Sequence, residues 1–130
     1  CIPYAKQLGY HLPYSAIEKG FSRRAVLGTV RNPWDYYVSW YHFQNQMVSP
    51  NPLFRLVSED HTLGFDSTIN NLLTLRKKPI MLEKFAQHLP NSFRNNGINL
   101  TKSCLALWQE NEGFYSFLYR RLYNGCAAPQ

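Results

Sequence analysis

The stretch VRNPWDYYVSWYHF, residues 30–43, sets an arginine, a turn and a serine in close order. Arg31 closes an apolar run, and Ser39 follows it by eight residues. A guanidinium brings permanent charge and a planar fork of donors that matches a phosphate. A serine hydroxyl adds one neutral donor. Together they can grip a phosphate between a strand end and the helix that follows it. In open α/β sheets, ligands gather at that carboxyl edge. A plainer arrangement uses the same residues: Arg31 pairs with the nearby Asp35 carboxylate, and Ser39 faces water. Spacing alone leaves both readings open.

The elements that must position this pair are legible nearby. AVLGTV, residues 25–30, is short, apolar and partly β-branched, and reads as a buried strand. Asn32-Pro33 stops it. Asn32 is a good helix N-cap, and Pro33 suits the first helical position, where its missing N–H costs nothing. Asp35 resembles the far side of a capping box and lies near the positive helix end. The helix is expected to reach about Met47. On its wheel Tyr36, Trp40, Phe43 and Met47 form a stripe expected in the core, whereas Asp35, Ser39, His42 and Gln46 form a polar stripe. Ser39 then stands about 9 Å along the axis from Pro33, at 1.5 Å per residue.

Farther along, residues 48–52 read as a loop. Asp66 or Ser67 can cap a helix through TINNLLTLRKK, with Ile69, Leu72 and Leu73 on one side. Pro79 breaks it, and a short helix is expected over 80–89. PNSFRNNGIN is loop. A final amphipathic helix runs from Phe114 to about Tyr123, with Phe114, Phe117, Leu118 and Leu122 sharing a face and Gly125 at its end. AIEKGFSRR, residues 16–24, reads as a short helix ended by Gly20. Only one strand is visible, so a sheet built on it looks incomplete.

Composition bounds the partners. With 130 residues the chain suits one domain. A formal net charge of +6 favours an anionic partner without choosing among nucleotide, phosphate, sulfated glycan and nucleic acid. Cys1, Cys104 and Cys126 lack metal-ligand spacing and read as small buried thiols, not as a disulfide scaffold. His42, His61 and His88 do not form a metal set, and no metal is expected. Asn99-Leu100-Thr101 fits the N-glycosylation sequon, a pattern common by chance. No apolar run approaches the roughly 20 residues that span a bilayer, and no targeting segment is seen, so the default location is cytoplasmic. The basic run Arg76, Lys77 and Lys78 reads as a solvated helix end, where cations are favourable.

Residues 9–46 resemble the sulfotransferase family. That family has a strand ending in Arg-Asn-Pro, then a helix with a serine eight residues after the arginine. The resemblance implies that Arg31 and Ser39 bind the 3′-phosphate of the sulfate donor, 3′-phosphoadenosine 5′-phosphosulfate. A second match lies upstream, where HLPYSAI begins with His11, 20 residues before Arg31. Cytosolic members place their catalytic base in such a His-Leu-Pro, so His11 inherits that role by resemblance. A neutral imidazole can accept the proton of an attacking hydroxyl. Otherwise His11 is a surface loop histidine, or shapes a pocket whose base is a glutamate elsewhere.

The family's phosphate loop, which holds the 5′-phosphosulfate on a helix end, has no counterpart here. Lys6 lacks the small hydroxyl neighbours, and only ten residues precede His11. The expectation is therefore one sulfotransferase-like domain over residues 1–130, truncated at its N-terminus. Its fold class is α/β, the P-loop-type sulfotransferase fold, incomplete, helix-rich and with few strands. The implied reaction moves a sulfuryl group to a hydroxyl or amine acceptor that the sequence does not identify. The alternative is a non-catalytic basic module for anionic glycan or nucleic acid, although no nucleic-acid motif is evident. A kinase-type phosphate-loop protein ranks last, since it needs a Gly-Lys-Ser/Thr loop and a magnesium carboxylate.

Overall fold

The computed structural model describes residues 31–89 and 100–124, and every regular element among them is helical. The strand expected over 25–30, the helix over 16–24 and the loop over 90–99 lie outside the described residues. So do the Leu122 side chain and Gly125. The helices are α1 (Pro33–Asn45), α2 (Pro52–Val57), α3 (Phe65–Leu73), α4 (Pro79–Gln87), α5 (Lys102–Ala106) and α6 (Phe114–Asn124), with a 3₁₀ turn at Leu75–Lys77.

Helix α1 starts where its sequence dictates. Asn32 Oδ1 accepts from the Trp34 N–H at 2.9 Å, and Pro33 fills the first helical position. Asp35 lies in the first turn and acts on the helix dipole. Its side chain closes no capping box onto Asn32 among the described residues. The buried face differs from the expected stripe. Tyr37, Tyr41 and Gln44 are buried, while Phe43 is 59% and Met47 41% exposed. Tyr36 and Trp40 are only partly buried against the core. Apolar residues lie nearly all round α1, so periodicity cannot select a face, and the packing partners decide it. Tyr41 meets Phe65 edge-on at 5.2 Å and Phe54 at 5.7 Å.

Gln44 is buried because its Oε1 accepts the Asn51 N–H at 2.8 Å, which fixes the link to α2. That helix was not expected from the sequence. Asn51 caps it through the Phe54 N–H at 2.8 Å, Pro52 opens it, and Leu53, Phe54 and Val57 enter the core. Glu59, Asp60 and His61 then adopt left-handed φ of 51°, 53° and 68°. Each such residue is costly, so the turn needs support. The Asp60 N–H donates to Arg55 O at 2.8 Å, and the His61 N–H donates to Ser58 Oγ at 3.1 Å.

Helix α3 begins after Gly64 without a side-chain cap, in place of the expected Asp66 or Ser67 cap. Ile69 and Leu72 are buried as expected, whereas Leu73 is 38% exposed. Pro79 sits at the start of α4, consistent with its missing N–H being harmless there. Helices α3 and α4 both pack on α2. The C-terminal part closes the core with Trp108, which stacks on Phe117 with ring centroids 5.0 Å apart and planes 10° apart. Its indole N–H donates to Glu112 O at 2.8 Å, so this large ring is buried with its polar atom satisfied.

Candidate functional site

Arg31 lies one residue before the cap of α1, and Ser39 lies two turns into that helix. Both are exposed. Ser39 shares its exposure with Asp35, His42 and Gln46, as the polar stripe requires. Among the described residues the Arg31 guanidinium makes no hydrogen bond or ion pair, and the plainer pairing with Asp35 is not formed. No hydrogen bond joins Arg31 to Ser39. His11 lies outside the described residues.

The backbone under Arg31 is held firmly. The Tyr115 hydroxyl donates a hydrogen bond to the Arg31 carbonyl oxygen. The Tyr115 N–H in turn donates to Tyr37 Oη at 3.1 Å. Tyr36 lies edge-on to Tyr115 with centroids 4.8 Å apart, and Tyr119 lies 4.3 Å from Tyr115. Burial pushes the Tyr36 and Tyr37 phenols up, and burial followed by the adjacent Tyr119 hydroxyl pushes Tyr115 up to about 12. All three therefore stay protonated around neutral pH. Sequence reasoning missed Tyr37 and Tyr115, and the separation of 84 residues between Tyr115 and Arg31 offers no local signal.

Other cations have structural work. Arg76 donates from Nε to Trp108 O at 2.9 Å, and Lys78 Nζ donates to Asn71 Oδ1 at 2.7 Å. The expected solvated end of this basic run thus holds only for Lys77, because the chain tightens into a 3₁₀ turn and carries its neighbours inward. Arg120 forms a forked pair with Glu112, Nε to Oε1 at 2.7 Å and Nη2 to Oε2 at 2.6 Å. Arg55 pairs with Asp60 at 2.6 Å on the surface. Arg121 Nε lies 3.3 Å from Cys104 Sγ. A cleft of about 570 Å³ is lined by Arg55, Glu59, Ile80, Met81 and Lys84 among others, and includes neither Arg31 nor Ser39.

The cysteine expectation is corrected. Cys104 is buried and disulfide-bonded, and its partner falls outside the described residues. Pairing needs Cα atoms within about 7 Å, a condition that the fold sets and linear spacing does not reveal. Among the described residues no helix is long and apolar enough to cross a membrane.

A family model described as a sulfotransferase domain matches residues 5–106. No curated protein and no solved structure matches the chain.

Proposed function

The chain belongs to the sulfotransferase family, and from that premise we propose that it binds 3′-phosphoadenosine 5′-phosphosulfate, with Arg31 and Ser39 on the 3′-phosphate. The observation that carries this reading is the Arg31 guanidinium. It is exposed and unpaired among the described residues, yet stands on a turn whose backbone is tied down. A phosphate would supply the charge partner that Asp35 does not. Ser39, on the exposed stripe of the same helix, would add its hydroxyl.

Family membership supports sulfuryl transfer and the P-loop sulfotransferase fold. In the proposed reaction an acceptor hydroxyl or amine attacks the donor sulfur in line. The bond from sulfur to the bridging oxygen breaks, and adenosine 3′,5′-bisphosphate leaves. His11 would take the acceptor proton as the new bond to sulfur forms. Arg31 and Ser39 act on the remote 3′-phosphate, so they serve binding and orientation, not the bond change. We treat residues 1–130 as one domain. A disulfide at Cys104 fits an oxidising compartment, and in this reading that replaces the cytoplasmic default.

Calorimetric titration with adenosine 3′,5′-bisphosphate and with 5′-AMP tests the assignment. The bisphosphate should bind more tightly. Arg31→Ala should weaken it by about 10- to 100-fold, as expected for lost charge-assisted hydrogen bonds, and Ser39→Ala by less than about tenfold. Affinity for 5′-AMP should stay level in both variants. Equal binding of the two nucleotides by the unaltered chain would sink the reading. Steep salt dependence without preference for the 3′-phosphate would favour the basic-module alternative.

A further inference from the structure

We propose that Tyr115 is a positioning residue for Arg31: its hydroxyl holds the Arg31 carbonyl and so fixes the turn that aims the guanidinium. This inference rests on the 3′-phosphate reading and adds an element to it. Helix α6 lies beyond residue 106, where the family match ends. The site would then depend on a segment outside the matched region.

The Arg31 carbonyl lies one position ahead of the helix ladder. The first rung is the Tyr36 N–H on Asn32 O at 3.0 Å, so no backbone donor of α1 serves Arg31. The Tyr115 hydroxyl takes that place. At the other end, the Tyr115 N–H belongs to the first turn of α6, where N–H groups lack helical partners. Tyr37 from α1 accepts it at 3.1 Å. Each helix thus satisfies a backbone group at the head of the other through a phenol. Both bonds are donated by Tyr115, one from its hydroxyl and one from its N–H, and together they restrict the rotation and the height of α1 against α6. Pro33 fixes its own φ, and Asn32 caps the helix. The Arg31 side chain is left free of these contacts while its backbone is held.

Tyr115→Phe removes the hydroxyl and keeps the ring. Titrating the full chain with adenosine 3′,5′-bisphosphate should show affinity reduced about tenfold, roughly the worth of one net hydrogen bond. Affinity for 5′-AMP should not change. In the Arg31→Ala background the same substitution should have no further effect on bisphosphate binding. Ile69→Val, a core truncation in α3, controls for lost stability and should leave the ratio of the two affinities unchanged. If Arg31→Ala weakens the bisphosphate but Tyr115→Phe does not, this inference is overturned and the site assignment stands. If Arg31→Ala has no effect, or the chain binds neither nucleotide, both fall together. A drop in the affinity ratio for Ile69→Val as large as that for Tyr115→Phe would also overturn it.

Discussion

Arg31 is distinguished less by its charge than by what surrounds it. Arg76, Arg120 and Arg55 each hold a carbonyl or carboxylate of the fold, whereas the Arg31 guanidinium has no such contact among the described residues. Its aim depends on the residues beside it. Asn32 makes the one side-chain cap of α1, so Asn32→Ala should cost about 1 kcal/mol, read as a lower midpoint in denaturant at unchanged slope. Because the cap adjoins Arg31, the same variant should also weaken bisphosphate binding. An unchanged midpoint would show that Pro33 and the Tyr115 bond hold the turn without it.

At the scale of elements, α5 and α6 are joined by the turn that carries Glu112. Arg120 donates to both oxygens of Glu112 and also to Leu107 O at 2.8 Å. The pair is largely sheltered, with side chains 21% and 11% exposed for Arg120 and Glu112. Hydrogen bonds from Arg120 hold the Glu112 carboxyl below its ordinary 4.5, outweighing burial, which acts the other way. The unfolded chain therefore binds this proton more readily than the folded one. The contribution is complete above the ordinary value and is lost as pH falls through it toward the depressed one. Glu112→Gln should destabilise the chain at neutral pH by about 2–3 kcal/mol, leaving Arg120 sheltered without its counter-charge. Its stability should also fall less steeply than that of the unaltered chain below the ordinary carboxyl range. Parallel acid profiles for the two proteins would contradict this.

For the molecule as a whole, helices α1 to α4 share a core built around Phe54, Leu53, Leu72 and Phe85, and the C-terminal part adds Trp108, Phe114 and Phe117. Phe85 and Phe114 meet across it at 6.3 Å, and the Tyr37–Tyr115 bond joins the same two parts at the edge where Arg31 stands. Cys104, buried in the same core, is disulfide-bonded. Of the three cysteines, one free thiol is expected when the chain is alkylated unfolded without reductant, and three after reduction. Three free thiols before reduction, in protein purified from an oxidising compartment, would contradict the disulfide. A disulfide stabilises chiefly by restricting the unfolded chain, so reduction should lower the melting temperature.

What the sequence determined by itself was local. The Asn-Pro start of α1, the extent of that helix, the start of α6 and the exposed stripe bearing Ser39 follow from caps, proline and polarity that act over three or four residues. The spacing of Arg31 and Ser39 was readable for the same reason. Helix α2 was signalled by Asn51-Pro52 as clearly as α1 was by Asn32-Pro33, but its single short turn of apolar residues carries too little period to register. Tertiary structure alone decided which face of the aromatic α1 is buried, because that helix is apolar nearly all round and its neighbours make the choice. It also decided that Arg31 does not pair with Asp35, that Cys104 is bonded, and that a tyrosine 84 residues away holds the Arg31 carbonyl. These depend on which surfaces the folded chain brings within a few ångströms, and sequence separation carries no record of that distance.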